Sequence, residues 1–358
     1  MGQPPLTLED TLVSQKDLRR LCLDRPLVTK EVFDGNAFYG NDLILKRYAR
    51  LPPAYRLKAV IPHGMTFDDD FLWLAEARSP LPAVLCWMPH REQVYASRAN
   101  KTVFRSAAPF LYVVQMLKDH PRPQRRGTIY FASHSTHHIV ALTDFASIAD
   151  ELTHLGEEYQ PVTVCMYWRD FNLGHHMPFQ ERGLPIVSAG HIYDPAFLFR
   201  FYHLCSMHWY AASHNLGSHL FYAVKGGCSF FDLGSTSNST LPDEVAIKVG
   251  MAHNDTAMEP VLRAMFSQPR PTMTGEQMEL VDHYLGAEFL RSPGDLRRQL
   301  LHTELLDKFG FLLRRNSRVT LVIPSCYRRI VWTALHGLAI RCPKLKRAVL
   351  SLRRNQPR

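Results

Sequence analysis

The chain has 358 residues, 46% of them hydrophobic and 21% charged, which excludes a disordered chain and leaves material for two globular domains of ordinary size. No apolar run approaches the roughly 18 residues of a membrane-crossing helix, and the start MGQPPLTLEDTL lacks the basic-then-apolar layout of an export signal. The net charge of +9 is local: twelve Lys and Arg and no Asp or Glu lie between Phe311 and Arg358, so everything before Phe311 is slightly acidic.

In chain order, residues 1 to about 55 read as helical, with LEDTLVSQKDLRRLCL followed by GNDLILKRYARL and a stop at Pro52-Pro53. Short strand-like runs come next, each emptying into a polar turn: Leu57–Ile61 into Pro62-His63-Gly64, Ala83–Trp87 into Met88-Pro89-His90, and Gly127–Ala132 into Ser133–His138. Helical spacing over Thr143–Leu155 separates these from a second series: Pro161–Tyr167 into Trp168-Arg169-Asp170, Leu184–Val187 into Ser188–His191, and the stretch Trp209–Gly234. Beyond an irregular stretch from Pro242 to Pro271, TGEQMELVDHYLG opens with a cap-like Thr274 and Gln277 three residues on, and SPGDLRRQLLHTELLDKFGFLLRR continues as helix. Alternating strands and helices in two series predict an α/β protein with two parallel sheets and terminal helices, joined near residues 155–160. The seven cysteines stand singly, with no CxxC pair, as expected of buried free thiols in a reducing, cytoplasmic setting.

The most informative segment is WYAASHNLGSHLFYAVKGGCSFFDLG: a buried strand, a turn from Ser213 to Ser218, a helix over about His219–Lys225, a Gly-Gly stop and a second strand over Cys228–Asp232. A strand that runs through Ser, Asn and Gly into a helix start leaves several N–H donors and the positive end of the helix dipole at one spot, which suits a phosphate. An ordinary capped turn, with Ser213 or Asn215 as N-cap, is the plain alternative. Ligands of open α/β sheets sit beyond the carboxyl ends of the strands. That is where His63, His90, His134, His137, His138, Arg169, Asn172, His191, Ser213, Asn215 and Ser218 fall.

An early strand ending in His-Gly (LKAVIPHG) and the later strand–Ser-x-Asn-x-Gly-Ser–helix–Gly-Gly-Cys-x-Phe-Phe unit resemble GT-B-fold glycosyltransferases, of the bacterial type that builds capsule, O-antigen or other surface polysaccharide. The resemblance spans about residues 38–300. It implies two Rossmann-like domains facing a cleft: an acceptor domain over 1–156, a nucleotide-sugar domain over 157–305, and a basic helical tail over 306–358. It implies that Ser213, Asn215, Gly217 and Ser218 hold the donor phosphates, that His191, Arg169 and Asn172 contact the donor, and that Gly64, Ser135 and His137 meet the acceptor. The chain departs from the family in lacking a Glu-x(7)-Glu donor signature and the proline that follows the corresponding His in bacterial sialyltransferases.

Glycosyl transfer with inversion needs a base for the acceptor hydroxyl and positive charge for the leaving phosphate. His63 is the first candidate base, then His134, then Asp69, with Arg169 and the helix start at Ser218 on the phosphate side. Asp68-Asp69-Asp70 is also compatible with a divalent metal, but acids opening a helix are the plainer account. Adjacent histidines (His137-His138, His175-His176) make weak zinc sites, so no metal or other cofactor is expected. The expected partners are a nucleotide-sugar and a glycan or lipid-linked acceptor. The basic tail suits either the anionic inner face of a membrane or packing as a last helix, and no nucleic-acid-binding module is recognisable. Two other readings stay open: a polyol-phosphate or sugar-phosphate transferase of similar form, and a sugar- or nucleotide-binding protein without turnover.

Overall fold

The structure, a computed structural model, describes residues 10, 16–68, 71–135, 143–234 and 258–313, the last five as backbone only. The chain divides into a compact unit, Met1–Glu304, and a second, Leu305–Arg358, of which the described part is the end of one helix. The membrane-facing role expected of the basic tail lies outside the described residues. No helix among the described residues is long and apolar enough to cross a membrane.

The α/β class with two parallel sheets is the one observed. β1 (Ala59–Val60), β2 (Ala83–Cys86) and β3 (Thr102–Arg105) form a three-stranded sheet in sequential order, all parallel. β4 (Thr128–Phe131), β5 (Val162–Cys165), β6 (Ile186–Val187), β7 (Tyr210–Ser213) and β8 (Ser229–Asp232) form the second, also all parallel, in the order β6-β5-β4-β7-β8. Counted from its own first strand the second sheet runs 3-2-1-4-5, the order of one side of a Rossmann sheet, with its switch point between β4 and β7. Two expectations are corrected here. Thr128–Phe131, placed in the first series, pairs with β5 and β7, so the join expected at 156/157 falls inside the second sheet. Sequence reading also passed over β3, because TVFR is a half-exposed edge strand with no apolar run to mark it.

Thirteen α-helices occur among the described residues: α1 (Leu18–Leu21), α2 (Asn41–Tyr48), α3 (Leu74–Arg78), α4 (Glu92–Ser97), α5 (Pro109–Leu117), α6 (Phe145–Thr153), α7 (Trp168–Asn172), α8 (Met177–Glu181), α9 (Phe197–Ser206), α10 (Ser218–Gly226), α11 (Met258–Phe266), α12 (Gly275–Tyr284) and α13 (Pro293–Leu313). Strands buried on both faces are apolar throughout rather than alternating. On β4, Tyr130 faces a core made with Ile148 and Leu152 of α6 and Phe179 of α8. Phe131 faces the other way and stacks on Phe201 of α9 at 4.9 Å. The capping box read from Thr274 and Gln277 is present at the start of α12. Among the described residues the helical reading of 1–55 holds for α1, α2 and a 3-10 stretch, Asp34–Gly40, that is broken at Phe38 and Tyr39. The irregular chain between α1 and that stretch is anchored by the buried Lys46 ammonium on Glu31 (2.5 Å), and Lys46 also bonds Asp42 (2.7 Å).

The approach to α2 passes through two left-handed residues, Tyr39 (φ 58°) and Gly40 (φ 77°). Tyr39 donates its N–H to the Ile192 carbonyl at 2.6 Å, and a Cβ on Gly40 would sit 2.2 Å from the Pro195 carbonyl oxygen. Gly64 (φ 72°) is also left-handed, but a Cβ there would meet only Ser218 Oγ, at 3.8 Å. Both positions require glycine for backbone reasons, and Gly40 for space as well. Gly64→Ala is therefore expected to cost about 1 kcal/mol, and Gly40→Ala at least about 3 kcal/mol because the backbone must also shift. Urea unfolding of the two variants checks the ranking.

Candidate functional site

The switch point brings the loops after β4 and β7 side by side. Ser213 Oγ donates to the Phe131 carbonyl at 2.8 Å and accepts the Asn215 N–H at 3.1 Å, and Asn215 Nδ2 donates to Ser133 Oγ at 2.6 Å. Ser213 is thus a buried clasp between the two central strands rather than a group open to a ligand. Gly217, not Ser213 or Asn215, is the N-cap of α10, and no side chain caps that helix. The positions expected to hold phosphate, Asn215, Gly217 and Ser218, are half-buried, so the helix start is neither sealed nor swept by bulk water.

The first sheet reaches this helix start directly. The turn after β1 gives its Met65 N–H to Ser218 Oγ at 3.2 Å, and Gly64 lies beside the same hydroxyl. Ser218 keeps its own hydroxyl proton to donate. His63, one residue earlier, gives its backbone N–H to the buried Glu76 carboxylate at 2.6 Å. Its ring stacks on Tyr39 (5.7 Å, 11° between planes) and meets Phe38 and Trp73 edge-on. His63 Nδ1 is buried with no hydrogen-bond partner. Burial, with a smaller contribution from His134, lowers the His63 pKa to about 4, so the imidazole is neutral at neutral pH.

His134 is exposed, with its ring against Tyr167 at 5.2 Å, yet the protein gathered around it still lowers its pKa. Its loop is held by Asp170, a fully buried carboxylate of α7 that accepts the Ser135 N–H (2.8 Å), the Ser135 hydroxyl (2.7 Å) and His175 Nδ1 (3.0 Å). His219, on the first turn of α10, accompanies Ser218. Its Nε2 bonds the Asn215 carbonyl at 2.9 Å, and burial, with a smaller push from His134, lowers its pKa to about 4. Tyr222, one helical turn on, and Tyr167, the N-cap of α7 just past β5, are half-buried and both lie within electrostatic reach of Tyr39. Six ring side chains from five separate segments thus form one set linked by ring contacts or electrostatic reach: Tyr39, His63, His134, Tyr167, and His219 with Tyr222 on α10.

Several expected site residues are placed elsewhere. His191 is fully buried between Trp168 and Tyr193. Its Nδ1 accepts the Tyr193 N–H (3.0 Å), which leaves the ring proton on Nε2 to donate to Asp24 (3.2 Å), so the ring pins the amino-terminal segment and has no free edge. Asn172 serves the same segment through Cys22 O at 2.8 Å. The Ser135 hydroxyl is committed to Asp170, and Arg169 is half-buried with an unpartnered Nε. Asp69 and His137 lie outside the described residues. Sequence reading missed Tyr39, Glu76, Asp170, His219 and Tyr222. His219 alone carried a local signal, its place on the first turn of a helix that follows a Gly-rich turn. No group of three or more His, Cys, Asp or Glu able to hold a metal occurs among the described residues. The five described cysteines are free and buried, as expected.

No family model matches the chain, and no curated protein matches it. Among solved structures it is similar to UDP-GlcNAc 2-epimerase from Neisseria meningitidis bound to UDP-GlcNAc, at 13% identity and a TM-score of 0.36, over 83% of this chain and 88% of that one. A score that low establishes neither a shared fold nor a shared activity.

The lowered pKa values carry a sign. The unfolded chain protonates His63 and His219 near 6.5 and the folded chain only near 4, so stability is complete above about pH 6.5 and falls as pH drops through that window. Burial raises Glu76 to about 7, which runs the other way, adding stability as it protonates below pH 7. Between pH 8 and 5.5 the ring proton resonances of His63 and His219 are expected not to move, and Glu76→Gln is expected to steepen the loss of Tm on acidification. NMR titration and thermal melts across that range check both.

Proposed function

We propose that the chain is a glycosyltransferase that takes a nucleotide-sugar donor at the start of α10 and passes the sugar to an acceptor hydroxyl beside His63. The observation that carries this reading is the bond from Met65 N–H to Ser218 Oγ. It joins an uncapped helix start of the second sheet to a turn of the first that holds a neutral imidazole with an unpartnered ring nitrogen. Backbone donors and the helix dipole at Ser218 stabilise charge on a leaving diphosphate. In the transfer step the acceptor O–H bond breaks as its oxygen bonds the anomeric carbon. The proton passes to the His63 imidazole, and the anomeric carbon–phosphate oxygen bond breaks with its electron pair onto the nucleoside diphosphate. His63 is the base, and Glu76 positions it through the backbone N–H of the same residue. His134 and His219 belong to the same lining, whereas His191, Asn172 and Ser213 act as scaffold.

The resemblance of LKAVIPHG and the Trp209–Gly234 unit to surface-polysaccharide GT-B enzymes supports the same reading, with a glycan or lipid-linked acceptor and the basic tail meeting an anionic membrane face. Thermal shift with UDP-, GDP- and CMP-sugars and CDP-glycerol tests it. One nucleotide-sugar is expected to raise Tm. Ser218→Asp is expected to abolish that shift while leaving the helix intact, since a carboxylate suits the helix dipole but repels phosphate. His63→Ala is expected to keep the shift and lower turnover at least about 100-fold. A response to CDP-glycerol alone moves the assignment to polyol-phosphate transfer, and silence from all four refutes the site.

A further inference from the structure

The amino-terminal segment turns a mixed apolar and basic face outward. Around α1, Leu21 and Cys22 are buried, and Leu21 packs so closely on Gly190 that a Cβ there would meet its Cδ1 at 3.1 Å. The other side of that turn carries Lys16, Arg19 and Arg20, all exposed. Leu23 follows Arg19 and Arg20 at four and three residues and so lies on their side, 58% exposed.

A second element extends that side. Asn172 Nδ2 donates to the Cys22 carbonyl at 2.8 Å, which sets Leu23 and Leu173, each one residue further on, beside the same bond. Leu173 is the C-cap of α7 and 47% exposed, and Met177 opens α8 at 56%. A Cβ on Gly174, between them, would be 3.7 Å from the Met177 sulfur. Single exposed apolar residues are ordinary, whereas three gathered about one bond mark an interaction surface. The two acids of the segment are engaged, since Asp17 accepts the Arg20 N–H at 3.1 Å and Asp24 accepts from His191 Nε2 at 3.2 Å. Glu181, one turn beyond Met177, ends the patch. Apolar side chains flanked by cations fit a bilayer: the former enter the headgroup boundary while the latter meet lipid phosphates. A nucleic acid would leave the apolar side chains unused. Six exposed residues also fall far short of the roughly 20–30 a side of a stable protein interface.

We propose that Leu23, Leu173 and Met177, with Lys16, Arg19 and Arg20, form a docking face for an anionic lipid bilayer. It uses no residue of the basic tail. Asp24 ties it to His191 just past β6, and Asn172 belongs to the helix that follows β5. The face therefore lies on the rim where the strands of the second sheet end, the rim that also bears Ser218. That a lipid-linked acceptor reaches the site from this surface is the one point that rests on the transferase reading.

Co-sedimentation of the full chain with phosphatidylcholine vesicles, with and without phosphatidylserine, tests the face. Binding is expected only with phosphatidylserine. Arg19→Glu with Arg20→Glu is expected to weaken it at least about tenfold, since each basic group lost costs about fivefold. Leu23→Ser with Met177→Ser is expected to weaken it at least about tenfold at unchanged charge. Both variants are expected to melt within about 2 °C of the parent, because all four positions are exposed; Leu173→Ser stands in for the second if it does not fold. Binding unchanged in either variant, binding without phosphatidylserine, or no binding at all overturns the proposal. A dimer in light scattering that Leu23→Ser with Met177→Ser dissociates also overturns it, giving the patch to a second copy of the chain. Vesicle binding lost in the variants, with no nucleotide-sugar shifting Tm, leaves the face and removes the transferase reading. A Tm shift without vesicle binding does the reverse.

Discussion

The site depends on the pairing of β4 with β7 at the centre of the second sheet. Because the chain leaves these neighbours in opposite directions, toward β5 from one and β8 from the other, their carboxyl ends open apart instead of being bridged by a crossover. The Ser213 clasp onto Phe131 and the Asn215 bond to Ser133 hold the two loops at a set separation. Everything above them takes its position from that pair: the uncapped start of α10, the His134 loop held on Asp170, and the β1 turn resting on Ser218. Removing a polar group of the clasp would leave its buried partner unsatisfied, which is more costly than the net gain of forming the bond.

On that base the protein gathers groups that are poor packing material and good chemistry. Desolvation keeps His63 and His219 neutral, with lone pairs available at neutral pH, and the same burial lifts Glu76 toward neutrality. Glu76 accepts from both the His63 N–H and the Tyr95 hydroxyl (2.5 Å), with Arg91 buried nearby over the Tyr95 ring. The first sheet, small as it is, thereby anchors a turn whose Gly64 and Met65 must contact a helix of the second. The strained Tyr39 adds a third origin, the irregular segment before α2. Locally disfavoured choices gathered on one functional surface are what a protein is expected to show where activity competes with stability.

Much of the architecture was legible in the residues. Short apolar runs bounded by turns, such as VTVC and AVLC, read as buried strands, and Thr274 with Gln277 carries its cap in its own side chains. Ser218, Gly64 and His63 were legible as strand-end groups, and the fold brings them together. The roles of Ser213, Ser135, Asn172 and His191 were not. A polar side chain at a strand end reads the same whether it faces a ligand or a neighbouring carbonyl, and each of these four faces protein. His191 was the most misleading, since its engagement with Asp24 depends on a segment more than a hundred residues away in the chain.

The sequence by itself determined most of the local terms: seven of the eight strands, the cap at Thr274, that the described cysteines are buried, and that polar residues collect at one end of the strands. These follow from periodicity, propensity and turn chemistry, which act over a few residues. Only the tertiary structure decided that Thr128–Phe131 belongs to the second sheet, that Asp170 and Glu76 hold the two histidine loops, and that Tyr39 lies over His63. Strand order, burial of a carboxylate and the stacking of rings from separate elements are set by the energy of long-range contacts, and no window of the chain carries that information.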